Sequence, residues 1–176
     1  MNRIITIFLI LFLVACTTEQ KTDTNSKLAG MYKLHNIEMQ DSAGVWHEQL
    51  WAKGGDSYIV YDGLGHMAVQ ITPKDYKEFK WIGEEETIDK TSLKKNLDSM
   101  STEQLRAALM EFASNYAYVA NYSINDAESV ITHNRLSHSI PSAWNTSVKR
   151  KFEFKGDTIF LQVLEVKRRL AWIRQK

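Results

Sequence analysis

The sequence predicts an all-β fold, an antiparallel up-and-down barrel with one helical insertion. Three observations support this prediction: apolar and polar residues alternate along most of the chain, glycine-containing turns separate the alternating segments, and one segment follows the helical period instead. Strands with this alternation bury one face and expose the other. A barrel of about eight strands has an interior wide enough for side chains or for one small ligand.

The alternating segments predict the strands in order. They cover residues 28–39, 45–51, 57–62, 66–72, 115–124, 129–138, 148–154, 159–163 and 170–174. The turns at residues 62–65 and 155–157 contain glycine and join neighbouring strands as hairpins. Short connections of this kind favour a meander that closes into a barrel.

One segment has the period of a helix. Residues 101–104 (STEQ) form a capping box, in which the side chain of Gln104 can reach back to Ser101. The apolar residues that follow recur at i, i+3, i+4 and i+7, namely Leu105, Ala108, Leu109 and Phe112. This spacing predicts an amphipathic helix of about three turns. Residues 73–100 are polar and charged, and we expect them to precede that helix in one insertion between two halves of the sheet.

Composition and charge narrow the classes of function. The 176 residues include 22 basic and 21 acidic side chains. This balance lacks the excess of basic residues that is typical of nucleic-acid-binding proteins. Cys16 is the only cysteine, so no intramolecular disulfide is available. The common hydrolase and nucleotide-binding motifs are absent, and the five histidines lack the spacing of a zinc site. We therefore expect no cofactor and no metal.

The first sixteen residues resemble the signal of a bacterial lipoprotein. A basic start precedes an apolar run at residues 4–15, which is shorter than the roughly 20 residues that span a bilayer. Residues 13–16 (LVAC) resemble a lipobox. The resemblance implies cleavage before Cys16 and its diacylation, with palmitate as an expected acyl chain. An ordinary signal peptide that happens to contain a cysteine is the alternative.

This resemblance implies a domain organisation and a location. Residues 1–15 are the lipoprotein signal peptide, residues 16–27 a lipidated flexible tether and residues 28–176 the barrel domain. The protein is then held in the cell envelope by the lipid on Cys16. Thr17 does not resemble an inner-membrane retention signal, which favours the outer membrane in a Gram-negative cell.

Several segments resemble bacterial lipocalin-like domains. They are residues 55–71 (GDSYIVYDGLGHMAVQI), 131–133 (ITH), 139–144 (SIPSAW) with Arg150, 156–164 and 170–174 (LAWIR). Two departures are residues 30–32 (GMY), where a lipocalin usually has Gly-x-Trp, and residues 81–100, which have no counterpart. The resemblance covers most of residues 28–174 and implies a lipocalin-like barrel. It does not identify a ligand, because a fold does not fix a function.

Arg150 is the strongest candidate for a ligand-binding residue. The alternation places it on the same face as Phe152 and Phe154, so its guanidinium is expected to point into an apolar interior. A buried charge without a partner is costly, and it requires a carboxylate, carbonyl groups or an anionic ligand. Arg150 is therefore either an anchor for an acidic ligand head or a structural arginine near the barrel rim.

Other residues are candidates for the wall of a ligand site or for barrel closure. The expected ligand-binding residues beside Arg150 are His133, Trp144, Tyr61 and Trp51, with ordinary packing as the alternative for each. The spacing of five residues between His133 and His138 predicts opposite faces of a regular strand. The lipocalin resemblance implies closure of the barrel by Arg174 on Tyr32, a cation–π contact worth about 0.5–2 kcal/mol.

Three functions stay open on this basis. The first is a lipid-anchored protein that binds a small, mainly hydrophobic ligand in a barrel cavity of at least a few hundred cubic ångströms. The second is an envelope lipoprotein that binds a protein partner through the insertion at residues 73–114. The third is an isomerase or cyclase on the same barrel, with His133 and a tyrosine as proton-transfer groups. No sequence motif supports the third.

Overall fold

The computed structural model describes residues 23–74, 76 and 90–176 of the chain. In this part of the chain, nine strands form one antiparallel sheet. The strands are β1 (Gly30–Gln40), β2 (Trp46–Gln49), β3 (Tyr58–Tyr61), β4 (His66–Ile71), β5 (Tyr116–Asn125), β6 (Val130–His138), β7 (Ser147–Lys155), β8 (Thr158–Val163) and β9 (Arg168–Arg174). The helices are α1 (Thr24–Leu28), α2 (Lys90–Asp98) and α3 (Thr102–Ser114), and a 3₁₀ turn covers Pro141–Ala143.

The sheet closes on itself through β1. This long strand pairs with β9 over most of its length and with β3 at its start, and the remaining strands pair with their sequence neighbours from β3 to β9. Eight strands form the closed wall, and β2 is an extra strand that pairs with the last residues of β1. The predicted antiparallel up-and-down barrel is confirmed, and α2 and α3 lie in the predicted insertion between β4 and β5.

The barrel core follows from the alternation of the strands. In β4, Met67, Val69 and Ile71 are buried and their neighbours are exposed, and in β8 buried residues alternate with half-buried ones. The largest buried side chain is Trp172 of β9, which is 1% exposed. Aromatic residues of this size contribute most of the apolar area that leaves water on folding.

The predicted boundaries differ from the observed ones by a few residues. The strand predicted over residues 45–51 ends at Gln49, so Trp51 lies in the turn that follows it. The capping box of α3 is confirmed: the Gln104 amide nitrogen donates to Ser101 Oγ at 3.3 Å, and the Ser101 amide donates to the side-chain oxygen of Gln104 at 2.8 Å. The predicted signal peptide, Cys16 and residues 81–89 of the insertion lie outside the described residues.

One end of the barrel is closed by α1. Residues 24–27, which the sequence assigns to the tether, are the first four residues of this helix, and Leu28 is completely buried. The Tyr32 hydroxyl donates to the Leu28 carbonyl oxygen at 2.9 Å. The Arg174 guanidinium lies 4.6 Å from the centroid of the Tyr32 ring and donates to the carbonyl oxygens of Lys27 and Ala29.

Gly30 makes this closure sterically feasible. Its φ is +138°, and a Cβ atom at this position would collide with the Arg174 guanidinium. Glycine has no Cβ and adopts positive φ without strain, so the arginine can lie against the backbone.

The opposite end of the barrel is formed by the last residues of β1, β4, β6 and β8 and the first residues of β3, β5, β7 and β9. The loops at this end include residues 50–57, which carry Trp51, and residues 139–146, which carry Trp144. We call it the loop end. None of the helices that the structure describes has the length and apolar character needed to cross a membrane.

Candidate functional site

A small cavity lies inside the barrel at the loop end. Its volume is about 50 Å³, which is much smaller than the few hundred cubic ångströms that the sequence led us to expect. That expectation is wrong because large aromatic and aliphatic side chains fill most of the described interior. The cavity is lined by Ile37, Trp51, Ile71, Tyr116, Arg150, Arg168 and Leu170.

Arg150 is the buried charge of this cavity. It points inward from β7, as the alternation predicts, and only 5% of the residue is exposed. Its Nε atom is buried and has no hydrogen-bond partner among the described residues. Burial acts to lower the pKa of Arg150, but the surrounding tyrosines outweigh this effect and raise it, so the guanidinium stays charged.

Arg168 is a second guanidinium at the same cavity. It begins β9, and its Nε atom is also buried without a hydrogen-bond partner in the described structure. Burial lowers the pKa of Arg168, and repulsion from Arg150 lowers it further. The described groups that act on the pKa of either guanidinium are tyrosines and the other arginine, with no carboxylate among them.

His133 lies deeper in the barrel and does not line the cavity. It is completely buried between two tyrosines: its Nε2 atom is 2.9 Å from the Tyr61 hydroxyl, and its Nδ1 atom is 2.7 Å from the Tyr118 hydroxyl. Burial lowers the pKa of His133 well below its ordinary value, and Arg150 and Arg135 lower it further. The imidazole is therefore neutral, with one nitrogen donating to a tyrosine and the other accepting from the second tyrosine.

Tyr118 connects this buried network to Arg150. Tyr61, His133 and Tyr118 are joined by hydrogen bonds, and the guanidinium of Arg150 acts on the pKa of Tyr118 at the cavity end of this network. Tyr61 also packs edge-to-face on Tyr122, with ring centroids 5.1 Å apart. A satisfied network of this kind can rigidify an interior and fix the orientation of a charged side chain.

His138 does not lie where the sequence placed it. The pairing of β5 with β6 is irregular between Val119 and Ala120, so β6 contains one extra residue at Leu136, which is 51% exposed. This bulge returns His138 to the interior face that His133 occupies, and the prediction of opposite faces is wrong. The His138 ring stacks on Tyr118, with centroids 5.4 Å apart.

Trp144 lies apart from the cavity, on the outside of the barrel. It borders a groove of about 520 Å³ on the outer surface of β3, β4, β5 and β6, together with Val60, Ala68 and Val119. Its indole nitrogen donates to the carbonyl oxygen of His138 at 2.6 Å. The structure thus brings Arg150 and Trp51 together at the cavity, and Tyr61 and His133 together behind it, while Trp144 faces another surface.

Apart from the aliphatic residues, Arg168 and Tyr116 are the cavity residues outside the expected ligand-binding set. Arg168 follows an exposed stretch at residues 164–167 and looks like the last member of a charged turn. Its alternation with Leu170 and Trp172 is the signal that could have revealed it. Tyr116 lies on a predicted inward face, and core packing is the simpler interpretation of an aromatic residue at such a position.

The described residues contain no group of three or more histidines, cysteines, aspartates or glutamates placed to hold a metal ion. The polar groups that they present at the cavity are guanidinium and hydroxyl groups. Guanidinium groups bind anions and do not coordinate cations, since they offer only donors.

Comparison with known proteins identifies one family and two similar structures. The family model described as a lipocalin-like domain matches residues 29–172. A lipocalin-like protein from Bacteroides uniformis is 12% identical, with a TM-score of 0.43 over 84% of this chain and 98% of its own. An uncharacterized protein from Bacteroides eggerthii is 9% identical, with a TM-score of 0.43 over 84% of this chain and 99% of its own. Among curated proteins, none matches this chain.

Proposed function

Since the chain belongs to the lipocalin-like domain family, we propose that it binds a small, mainly hydrophobic molecule in the loop end of its barrel. The acidic head of this ligand contacts Arg150, and its apolar body lies against the aliphatic and aromatic side chains around the cavity. Binding sites for small molecules usually combine apolar walls with a few polar groups that fix orientation.

The buried guanidinium of Arg150 is the observation that carries this proposal. A charge that is 5% exposed and has no carboxylate partner among the described residues destabilises the empty barrel. An anionic ligand head offsets this cost, because a charge-assisted hydrogen bond in a dry site is stronger than one in water. Ile37, Ile71 and Leu170 supply the apolar surroundings on the same cavity.

The size of the cavity sets a requirement on the ligand. About 50 Å³ accommodates a head group, while the body of the ligand extends toward the solvent past Trp51, which is 43% exposed. Trp51 belongs to a turn, so its side chain can move outward without breaking a strand. Ligand binding should therefore change the fluorescence of Trp51, and Trp51→Phe should remove that change.

The lipid anchor completes the proposal. Acylated Cys16 would hold the protein in the cell envelope, in the outer membrane of a Gram-negative cell, with residues 17–23 as the tether. The described chain begins at the closed end of the barrel, next to α1. An anchor that precedes it places the loop end, with its cavity, at the far side of the domain from the tether.

Native mass spectrometry of the full chain, purified from its own host, tests the ligand. The proposal predicts a co-purifying small acid in the wild type that is absent from Arg150→Met. A wild-type protein that carries no small molecule and binds none of a panel of fatty and isoprenoid acids would contradict it. Membrane fractionation of Cys16→Ser tests the anchor, with Thr17→Ser as the matched control that should stay in the membrane fraction.

Binding of a protein partner is the second candidate, and α3 is the observation that favours it. Leu109 and Met110 of this helix are 65% and 69% exposed, within the insertion for which the sequence suggested a contact surface. A stable complex that is lost in the double variant Leu109→Asp/Met110→Asp and retained in Arg150→Met would favour this function over ligand binding. No contact of His133 favours an enzymatic role, since both ring nitrogens already bind tyrosine hydroxyls.

A further inference from the structure

Two arginines line the cavity, and together they indicate the charge of the ligand head group. Arg150 and Arg168 both line the cavity of about 50 Å³, one from β7 and the other from β9. These strands are separated in the barrel by β8, and Val163 of β8 pairs with both arginines. The two guanidiniums therefore lie at the same height of the barrel wall.

The charges of the two arginines are not balanced within the described structure. The described groups that act most strongly on the two guanidiniums are tyrosine side chains and the other arginine, with no carboxylate among them. Bringing two like charges into a poorly hydrated site is unfavourable, and such pairs persist where they serve a function. A ligand head group with two negative charges would balance the two guanidiniums.

The free donors of the arginines define the shape of the missing acceptor. Each Nε–H is buried without a hydrogen-bond partner in the described structure, and Nε–H together with one terminal N–H forms the fork with which arginine grips an oxyanion. Two forks need at least three acceptor oxygens if one oxygen is shared. A carboxylate has two oxygens, whereas a phosphate monoester has three terminal ones.

The volume of the cavity is consistent with this head group. A water-sized group needs about 10–15 Å³ of such space, so 50 Å³ holds roughly three to five of them. A phosphoryl group, with its phosphorus atom and three terminal oxygens, is of this size. We propose that Arg150 and Arg168 together form a binding site for a doubly charged head group, and that the ligand is an apolar phosphate monoester.

This inference deepens the proposed function and rests on it for the apolar body of the ligand. The ligand class is tested with three probes that share one alkyl chain: dodecyl phosphate, dodecanoate and dodecanol. Calorimetry on the full chain should give affinities in that order for the wild type. In Arg168→Gln, the affinity for dodecyl phosphate should fall about 10- to 100-fold, toward that of dodecanoate.

Two controls separate charge recognition from general damage. Lys167→Gln removes an exposed positive charge next to Arg168 in the chain and should leave the order and the affinities unchanged. The melting temperature of unliganded Arg168→Gln should equal or exceed that of the wild type, because the variant relieves repulsion of Arg150. A residue with a merely structural role would lower it.

The possible outcomes distinguish this inference from the proposed function. If dodecanol binds the wild type as tightly as dodecyl phosphate, the anion site is overturned and the hydrophobic site survives. If no alkyl probe binds but inorganic phosphate raises the melting temperature of the wild type and not of Arg168→Gln, the anion site stands and the proposed function fails. If neither the alkyl probes nor inorganic phosphate binds, both fail.

Discussion

Replacing Arg150 with methionine should stabilise the empty protein while it abolishes ligand binding. The variant removes a charge that is 5% exposed and keeps a flexible side chain of similar length. Tyr118 keeps its hydrogen bond to His133 at 2.7 Å, so the substitution leaves its buried hydroxyl satisfied. The stability change is therefore dominated by the removal of the buried charge.

The expected change in the free energy of unfolding can be judged from other proteins in which buried ion pairs were replaced by apolar residues. Such replacements are often neutral or stabilise proteins by up to about 4 kcal/mol. An uncompensated charge should give a gain of at least about 1 kcal/mol. For a domain of this size, each kcal/mol raises the melting temperature by about 2–4 °C. Calorimetric unfolding of the unliganded full chain should thus show a rise of at least about 2 °C.

Arg174→Met is the matched control at the closed end of the barrel. There the guanidinium lies 4.6 Å from the Tyr32 ring centroid and donates to the carbonyl oxygens of Lys27 and Ala29. Its loss removes the donor to the Ala29 carbonyl oxygen and one of two donors to the Lys27 carbonyl oxygen, and should destabilise the protein by about 1.5–3 kcal/mol. If Arg150→Met lowers the melting temperature as much as Arg174→Met does, Arg150 is a structural ion and the reasoning is refuted.

Three further predictions concern stability. Burial holds the pKa of His133 well below its unfolded value of about 6.5, so the wild type should lose stability as the pH falls below 6.5. His133→Gln should lose less stability over the same range. Urea unfolding between pH 7 and 5 measures this, and equal pH dependence of the two proteins would contradict it. Gly30→Ala should cost more than Gly156→Ala in urea unfolding, since both have positive φ but only Gly30 faces a side chain; equal costs would exclude the collision. Ser101→Ala should destabilise α3 by about 1 kcal/mol, seen as faster amide exchange in α3 alone, and unchanged exchange would show that the cap contributes little.

Much of the fold could be predicted because the strand period is short and local. Alternation over a few residues identifies the buried face, and it is sufficient to predict that Arg150 points into the barrel interior. Hairpin connections then favour an up-and-down order, which the pairing of β3 to β9 follows. The capping box likewise depends on residues only three apart, Ser101 and Gln104.

The features that escaped prediction depend on contacts between distant segments. The bulge at Leu136 arises from the registers of two strands, so the sequence of β6 alone predicts a regular strand and places His138 on the wrong face. The volume of the cavity depends on how side chains from many strands fill the interior. Arg168 was overlooked because the exposed turn before it hides the start of the alternation.

The arginine side-chain Nε–H signals in ¹H–¹⁵N NMR spectra test the central claim most directly. Dodecyl phosphate added to the wild-type protein should shift the signals of Arg150 and Arg168, whose Nε atoms have no described partner in the structure. The signal of Arg174, which is engaged at the closed end, should not move. Unchanged signals for Arg150 and Arg168 at saturating ligand, or an equal shift for Arg174, would contradict a ligand head at the cavity.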